Sequence, residues 1–289
     1  MKGPPEFSAR VANRRMRRYD AASANASRFL KFPKTTAMDA HSSDSRNLKA
    51  VVEYDGADYC GWQIQAGAPS IQAALVQAIA KINGAPVAVH AAGRTDAGVH
   101  AQGQVIHAHV GKRLPEERWK GALNAHLPPD IRVRSVVYAA PDFHARRSAR
   151  AKLYRYQFWR GNTVSPFWRR YVTDVPATLA WDAMRDASGA LVGTHDFAPF
   201  SVAHLEVATT VREIFSVAWR DVNEDVRCVE FYGTGFLRYQ VRRMVGTLLD
   251  IGRRRLPASA IGDILRRTPG FSAGATAPPQ GLTLVQVDY

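Results

Sequence analysis

At 289 residues with 46% hydrophobic side chains, the chain is long enough for one large domain or two of roughly 100 to 150 residues, each able to bury a core. No run approaches the ~18 apolar residues of a membrane span, and Cys60 and Cys228 are too few for a disulfide framework and lack metal-ligand spacing, which points to a reducing, cytoplasmic compartment. The formal net charge of +14 and the pI near 10.2 favour a polyanionic partner, because clustered Lys and Arg displace counterions from phosphates.

Residues 1–46 hold ten Lys/Arg against four Asp/Glu and show no sustained periodicity, so they are expected to form a disordered basic extension. Three readings of it stand side by side: an organellar transit peptide, a basic arm that touches nucleic acid, and a product of an upstream start codon with Met38 as the true start. From Leu48 the pattern becomes regular. Leu48 to Asp55 alternates as a strand, and Asp55-Gly56 opens a loop carrying Tyr59, Gly61, Trp62, Gln63 and Gln65. Ser70 is placed as an N-cap, with Ile71, Leu75, Ala78 and Ile82 at helical spacing until Gly84. Strands are predicted at Pro86 to Ala92 and Gln104 to Val110. A helix starts near Pro115 with Trp119, Ala122 and Leu123 inward, and a strand follows at Ile131 to Ala139.

That order, β-α-β-β-α-β, is the ferredoxin-like unit. The second half repeats it: a strand at Lys152 to Trp159, a helix near Trp181 to Leu191, strands at Thr210 to Asp221 and Val226 to Thr234, a helix from about Leu237 to Ile251, a shorter one from Pro257, and a last strand at Leu282 to Asp288. The expected fold is therefore α+β, with two pseudo-symmetric ferredoxin-like (RRM-like) units, residues 47–146 and 147–289. Their sheets are mainly antiparallel, and a catalytic cleft lies between the units.

The segment Ala91 to Gln104 falls between two predicted strands of the first unit, and Gly93, Gly98 and Gly103 give it unusual backbone freedom. Inside it, Asp96 stands two residues from Arg94, a carboxylate whose ionised form a cation favours. Taken alone, this reads first as a turn with a solvated ion pair and only second as a catalytic carboxylate. Other clusters fade. His107 and His109 share a strand face, but no acid or thiol of suitable spacing completes a metal site. Gly233-x-Gly235 lacks the third glycine of a dinucleotide fingerprint, and His195-Asp196 reads as structural rather than as part of a triad. Tyr154, in Leu153-Tyr154-Arg155-Tyr156, offers a ring on which a base can stack, and Arg242 lies on a helix with one apolar and one cationic face.

At these residues the chain resembles the TruA-type tRNA pseudouridine synthases. The segments Glu53-Tyr54-Asp55-Gly56, Gly61-Trp62-Gln63, Gly93-Arg94-Thr95-Asp96-Ala97-Gly98-Val99-His100, Asn124 to Asp130, Asp142-Phe143-His144-Ala145-Arg146, Tyr154-Arg155-Tyr156 and Gly281-Leu282-x-Leu284 occur in that family's order. The likeness covers about residues 48 to 289. It implies an isomerase that converts uridines at positions 38 to 40 of the tRNA anticodon arm to pseudouridine, as a homodimer and without cofactor or metal. It also implies roles for single residues: Asp96 as the catalytic carboxylate, Tyr154 packed on the target base, and Arg242 paired with Asp96. Arg94 is expected to hold the flipped-out nucleotide, His100 to touch the substrate backbone, and Leu282 and Leu284 to wall the pocket. Gln240 stands where many members have Met. The rivals are a non-catalytic RNA-binding protein, for which no RNP-type aromatic pattern is found, and a metal-dependent nuclease, for which clustered carboxylates are lacking.

Overall fold

In the computed structural model the described residues are 45–202 and 207–289, so the basic extension expected over residues 1–46 lies outside them save for its last two. Strand β1 (Arg46–Tyr54) opens the fold, and its alternation buries Leu48, Ala50, Val52 and Tyr54. Helix α1 (Ile71–Asn83) begins at Ser70, whose hydroxyl accepts from the Ala73 amide at 3.3 Å, a cap worth about 1 kcal/mol. It ends where Gly84 takes φ 86°, a left-handed turn that favours glycine. Helix α2 (Glu116–His126) buries Trp119 and Leu123, and β4 (Ile131–Tyr138) closes the first half.

Two strands of this half depart from expectation. β2 is only His90–Ala91, because pairing with β3 is confined to His90 with His107 and Ala91 with Ile106. Its predicted opening residue, Pro86, has no N–H to give to a ladder. β3 runs His100–Val110 and so begins four residues earlier than predicted. Its start is paired on both sides: Ala101 lies opposite Tyr54 of β1, and the C-terminal strand β10 (Leu282–Asp288) pairs with it in parallel, Thr283 opposite His100 and Leu284 opposite Ala101. At Gly103 the β10 backbone comes so close that a Cβ would lie 2.4 Å from the Val285 carbonyl oxygen.

The second half comprises β5 (Ala151–Trp159), β6 (Thr173–Asp174), α3 (Trp181–Ser188), β7 (Gly193–Asp196), β8 (Val211–Asp221), β9 (Val226–Gly233), α4 (Gln240–Gly252) and α5 (Ala260–Leu265) before β10. The short strands β6 and β7 were not anticipated. Helix α4 starts three residues later than predicted because Tyr239, at φ 62°, breaks the helical path, while the Gln240 side chain accepts from the Leu237 amide at 2.8 Å.

All ten strands form one sheet of order β4-β1-β3-β10-β5-β9-β8-β7, with β2 also on β3 and β6 on β5. The two halves therefore share a sheet, largely antiparallel, joined through β10. One apolar cluster runs through both, from Leu48, Ile71 and Trp119 to Phe158, Met244 and Leu248. A smaller one on the opposite face gathers Ala92, Val105 and Ala145 with Val51 and Tyr289. Among the described residues no helix is long and apolar enough to cross a membrane.

Candidate active site

The loop between β2 and β3 is held at nearly every residue. Lys152 Nζ donates to the Ala92 carbonyl at 2.8 Å, and Gln104 Nε2 to the Gly93 carbonyl at 2.7 Å. The Tyr54 hydroxyl and Thr95 Oγ1 lie 2.8 Å apart, the Trp62 amide donates to the Thr95 carbonyl at 3.0 Å, and the Val99 amide to that of Asp96 at 3.2 Å. Gly98 completes the turn at φ 77°, in the left-handed region. A backbone so restrained leaves the Asp96 side chain one direction in which to project.

In that direction stands Arg242, on the first turn of α4. Its Nη1 donates to Asp96 Oδ2 at 3.1 Å, and its Nε to the Ala277 carbonyl at 2.7 Å. The Ala277 amide in turn donates to the Arg242 carbonyl at 3.0 Å, so the guanidinium is aimed as well as charged. The Asp96 and Arg242 side chains are 21% and 12% exposed, which shields the pair from bulk water but leaves it reachable. Two guanidiniums lie over the Tyr239 ring, that of Arg238 at 5.0 Å and that of Arg242 at 5.3 Å from its centroid.

Burial is the largest influence on Asp96 and raises its pKa; the hydrogen bond and charge of Arg242, and the charge of Arg238, pull the other way without cancelling it. The carboxylate is thus more basic than an ordinary aspartate while held by a cation. Tyr154 is buried beside it, its ring edge-on to Phe236 at 5.2 Å, and burial raises its pKa, as do Tyr54 and Asp96. Its hydroxyl has no hydrogen-bond partner among the described residues. Across the ladder, Leu284 faces Tyr154 and Leu282 faces Tyr156, both leucines buried.

Other sequence candidates lie elsewhere. Arg94 is exposed and forms no ion pair among the described residues. His100 is 3% exposed: Nε2 donates to the Arg170 carbonyl at 2.8 Å and Nδ1 accepts from the Gly56 amide at 3.1 Å. Both ring nitrogens are taken, so His100 fastens the Gly56 turn to the segment that carries Arg170. Asp55 is held below the ordinary carboxylate range; burial opposes this but is outweighed by the neighbouring His100 ring, the hydrogen bond from the Ala57 amide and the charge of Arg170, whose Nε lies 3.1 Å from Asp55 Oδ2. His107 stacks on His90 at 4.9 Å and accepts from the Ala145 amide, and burial followed by three neighbouring histidines brings its pKa down to about 3, the value of a neutral packing residue. His195 Nε2 lies 3.0 Å from the Val192 carbonyl, and Asp196 accepts from the Thr210 hydroxyl at 2.6 Å.

Sequence reasoning missed Lys152, Gln104 and Tyr239. The first two act on carbonyls far away in the chain, which leave no local pattern; Tyr239 had only its place just before the cationic helix to mark it. A cavity lined by Pro176, Leu179, Gly252 and Arg253 lies at the other end of α4, roughly 15 Å from Arg242 by helical rise, and touches none of the residues around Asp96.

A largely antiparallel α+β sheet here carries a shielded, cation-held carboxylate beside a tyrosine, an arrangement in which a carboxylate can act as nucleophile or base. The chain belongs to the tRNA pseudouridine synthase family, whose sequence profile matches residues 50–146 and 187–289. It is 43% identical over 242 residues to tRNA pseudouridine synthase A of Myxococcus xanthus, covering 84% of this chain and 91% of that one. To the same-named proteins of Exiguobacterium sp. and Geobacter sulfurreducens it is 42% identical over 244 residues, covering 84% of this chain and 98% and 100% of theirs.

Proposed function

We propose that the protein isomerises uridines at positions 38 to 40 of the tRNA anticodon arm to pseudouridine, with Asp96 as the catalytic carboxylate. The observation that carries this reading is the meeting of Asp96 and Arg242 at 3.1 Å from opposite halves of the chain. The reaction breaks the bond from C1′ to N1, turns the uracil while it stays bound, and joins C5 to C1′. An ionised carboxylate serves it by attacking C1′ or C6, or by taking the ribose C2′ proton. The target base must leave its stack to reach Asp96. Tyr154 then supports the extruded ring, Arg94 holds the nucleotide or its phosphate from the surface, and Leu282 and Leu284 form the apolar backing behind Tyr154 that keeps a detached uracil from escaping.

The strand orders support two ferredoxin-like units, residues 47–146 and 147–289: β4-β1-β3 with β2 on β3, and β10-β5-β9-β8, have the same order within each half. The reading includes a homodimer acting in the cytoplasm; light scattering should give twice the 31.9 kDa chain mass.

The test is to incubate the protein with unmodified tRNA in EDTA and map pseudouridine at single-nucleotide resolution. Conversion confined to positions 38 to 40 is expected. Binding without conversion, conversion elsewhere, or conversion only after metal is restored would refute the reading. Within it, Tyr154→Phe is expected to stay within about tenfold of wild-type turnover and Tyr154→Ala to lose on the order of 100-fold, because stacking outlives the hydroxyl. Equal losses would transfer the role to the hydroxyl.

A further inference from the structure

Among the described residues, Lys152 is the one cation that grips the backbone of the Asp96 loop rather than the aspartate. It lies on β5 two residues before Tyr154 and so on the same face, opposite Val287 of β10 and Gly233 of β9. Its Nζ donates to the Ala92 carbonyl at 2.8 Å, across 60 residues of sequence, and sits against Gly93, where an added Cβ would be 3.3 Å away. The next carbonyl, that of Gly93, is taken by Gln104. Two successive peptide planes just before Arg94, Thr95 and Asp96 are therefore oriented by side chains.

The placement is costly. No carboxylate pairs with Lys152 among the described residues, and the charged groups that face it are the cations Arg146 and Arg212; burial first, then these two, lower its pKa to about 8. A methionine would fill the same space without that penalty. What the amine supplies and an apolar chain cannot is the hydrogen bond to Ala92, charge-assisted whenever the amine is protonated. Because Lys152 and Tyr154 share one strand and one face, the strand that packs the base also sets the loop that carries the carboxylate.

We propose that Lys152 is a positioning residue for the reaction, holding the Ala92 peptide so that Asp96 meets its target; this rests on Asp96 being the catalytic carboxylate. The test compares full-length Lys152→Met, Lys152→Arg and Asp96→Asn by single-turnover rate, tRNA affinity across a salt series, and hydrogen exchange in the 92–99 loop. Lys152→Met should slow turnover on the order of 10- to 100-fold, with affinity within about threefold, an unchanged salt slope and faster exchange confined to the loop, since a small misplacement is enough to lose such a factor. Lys152→Arg should recover most of the rate. Should Lys152→Met not fold, Lys152→Gln, a shorter neutral donor, takes its place and should fall between the two.

Wild-type turnover in Lys152→Met overturns the proposal. So does a loss that comes with weaker binding and a salt slope smaller by about one, which would make Lys152 a phosphate contact. So does a loss that Arg does not rescue and that comes with faster exchange along all of β5, which would make it structural. Turnover in Asp96→Asn would instead overturn the reading of the site, whatever Lys152 does.

Discussion

Asp96→Asn is expected to lower pseudouridine formation by more than about 1000-fold, the scale seen when a reacting side chain is removed. Affinity for tRNA should stay within about tenfold, because phosphate contacts dominate it and a carboxylate is not a group that binds phosphate. The same substitution should not lower the melting temperature at neutral pH. The sign follows from linkage. A carboxyl whose pKa is raised on folding binds its proton more tightly in the native state, so its ionised form opposes folding at pH above the folded pKa, and that cost is relieved as pH falls through it. Asparagine carries no such cost, and its amide oxygen can still accept from Arg242. With Asp96 as the proposed catalytic carboxylate, turnover needs its ionised form, so the acid limb of the wild-type rate profile should lie above 3.8, the ordinary aspartate value. Turnover near wild type, or a variant that melts well below wild type, would show that Asp96 is held for structure.

How much of this was legible in the sequence depends on where each partner lies. Helix α1 was readable because its signals are local: the Ser70 cap, the Gly84 stop and an apolar face between them. β1 was readable because alternation is local too. The early start of β3 was not, since it rests on Tyr54 of β1 beyond a bulge and on β10, and neither was the shared sheet, since β10 arrives from almost 200 residues away. The late start of α4 was hidden because a left-handed Tyr239 has no compositional marker as a glycine would. At the site, spacing placed Asp96 in a turn but left its role open, and a cationic helix face marked Arg242, but only the family resemblance paired the two. The partners of His100 were equally hidden, because the Gly56 amide and the Arg170 carbonyl that occupy its ring come from separate loops.

Arg242→Met is expected to cut turnover on the order of 100-fold, as loss of one oriented, desolvated donor commonly does. The more diagnostic effect is on pH. Arg242 supplies both the hydrogen bond and the largest charge that pull the Asp96 pKa down, and without it burial acts almost unopposed, with only the exposed Arg238 remaining. The acid limb of the rate profile should therefore move to higher pH than in wild type. Arg242→Lys should fall between the two: an ammonium restores charge near Asp96, but it cannot serve Asp96 and Ala277 in the planar geometry of Nη1 and Nε. Stability responds to a different contact. The Ala277 carbonyl loses its Nε donor in either variant, a cost of about 1–3 kcal/mol if nothing replaces it, so melting temperature should drop similarly in both while the pH profiles differ. Rate profiles of the three proteins over the acid range, with melting curves beside them, separate the two effects. An acid limb that stays where wild type has it would mean that the guanidinium braces α4 against the 277 segment and does not tune the carboxylate.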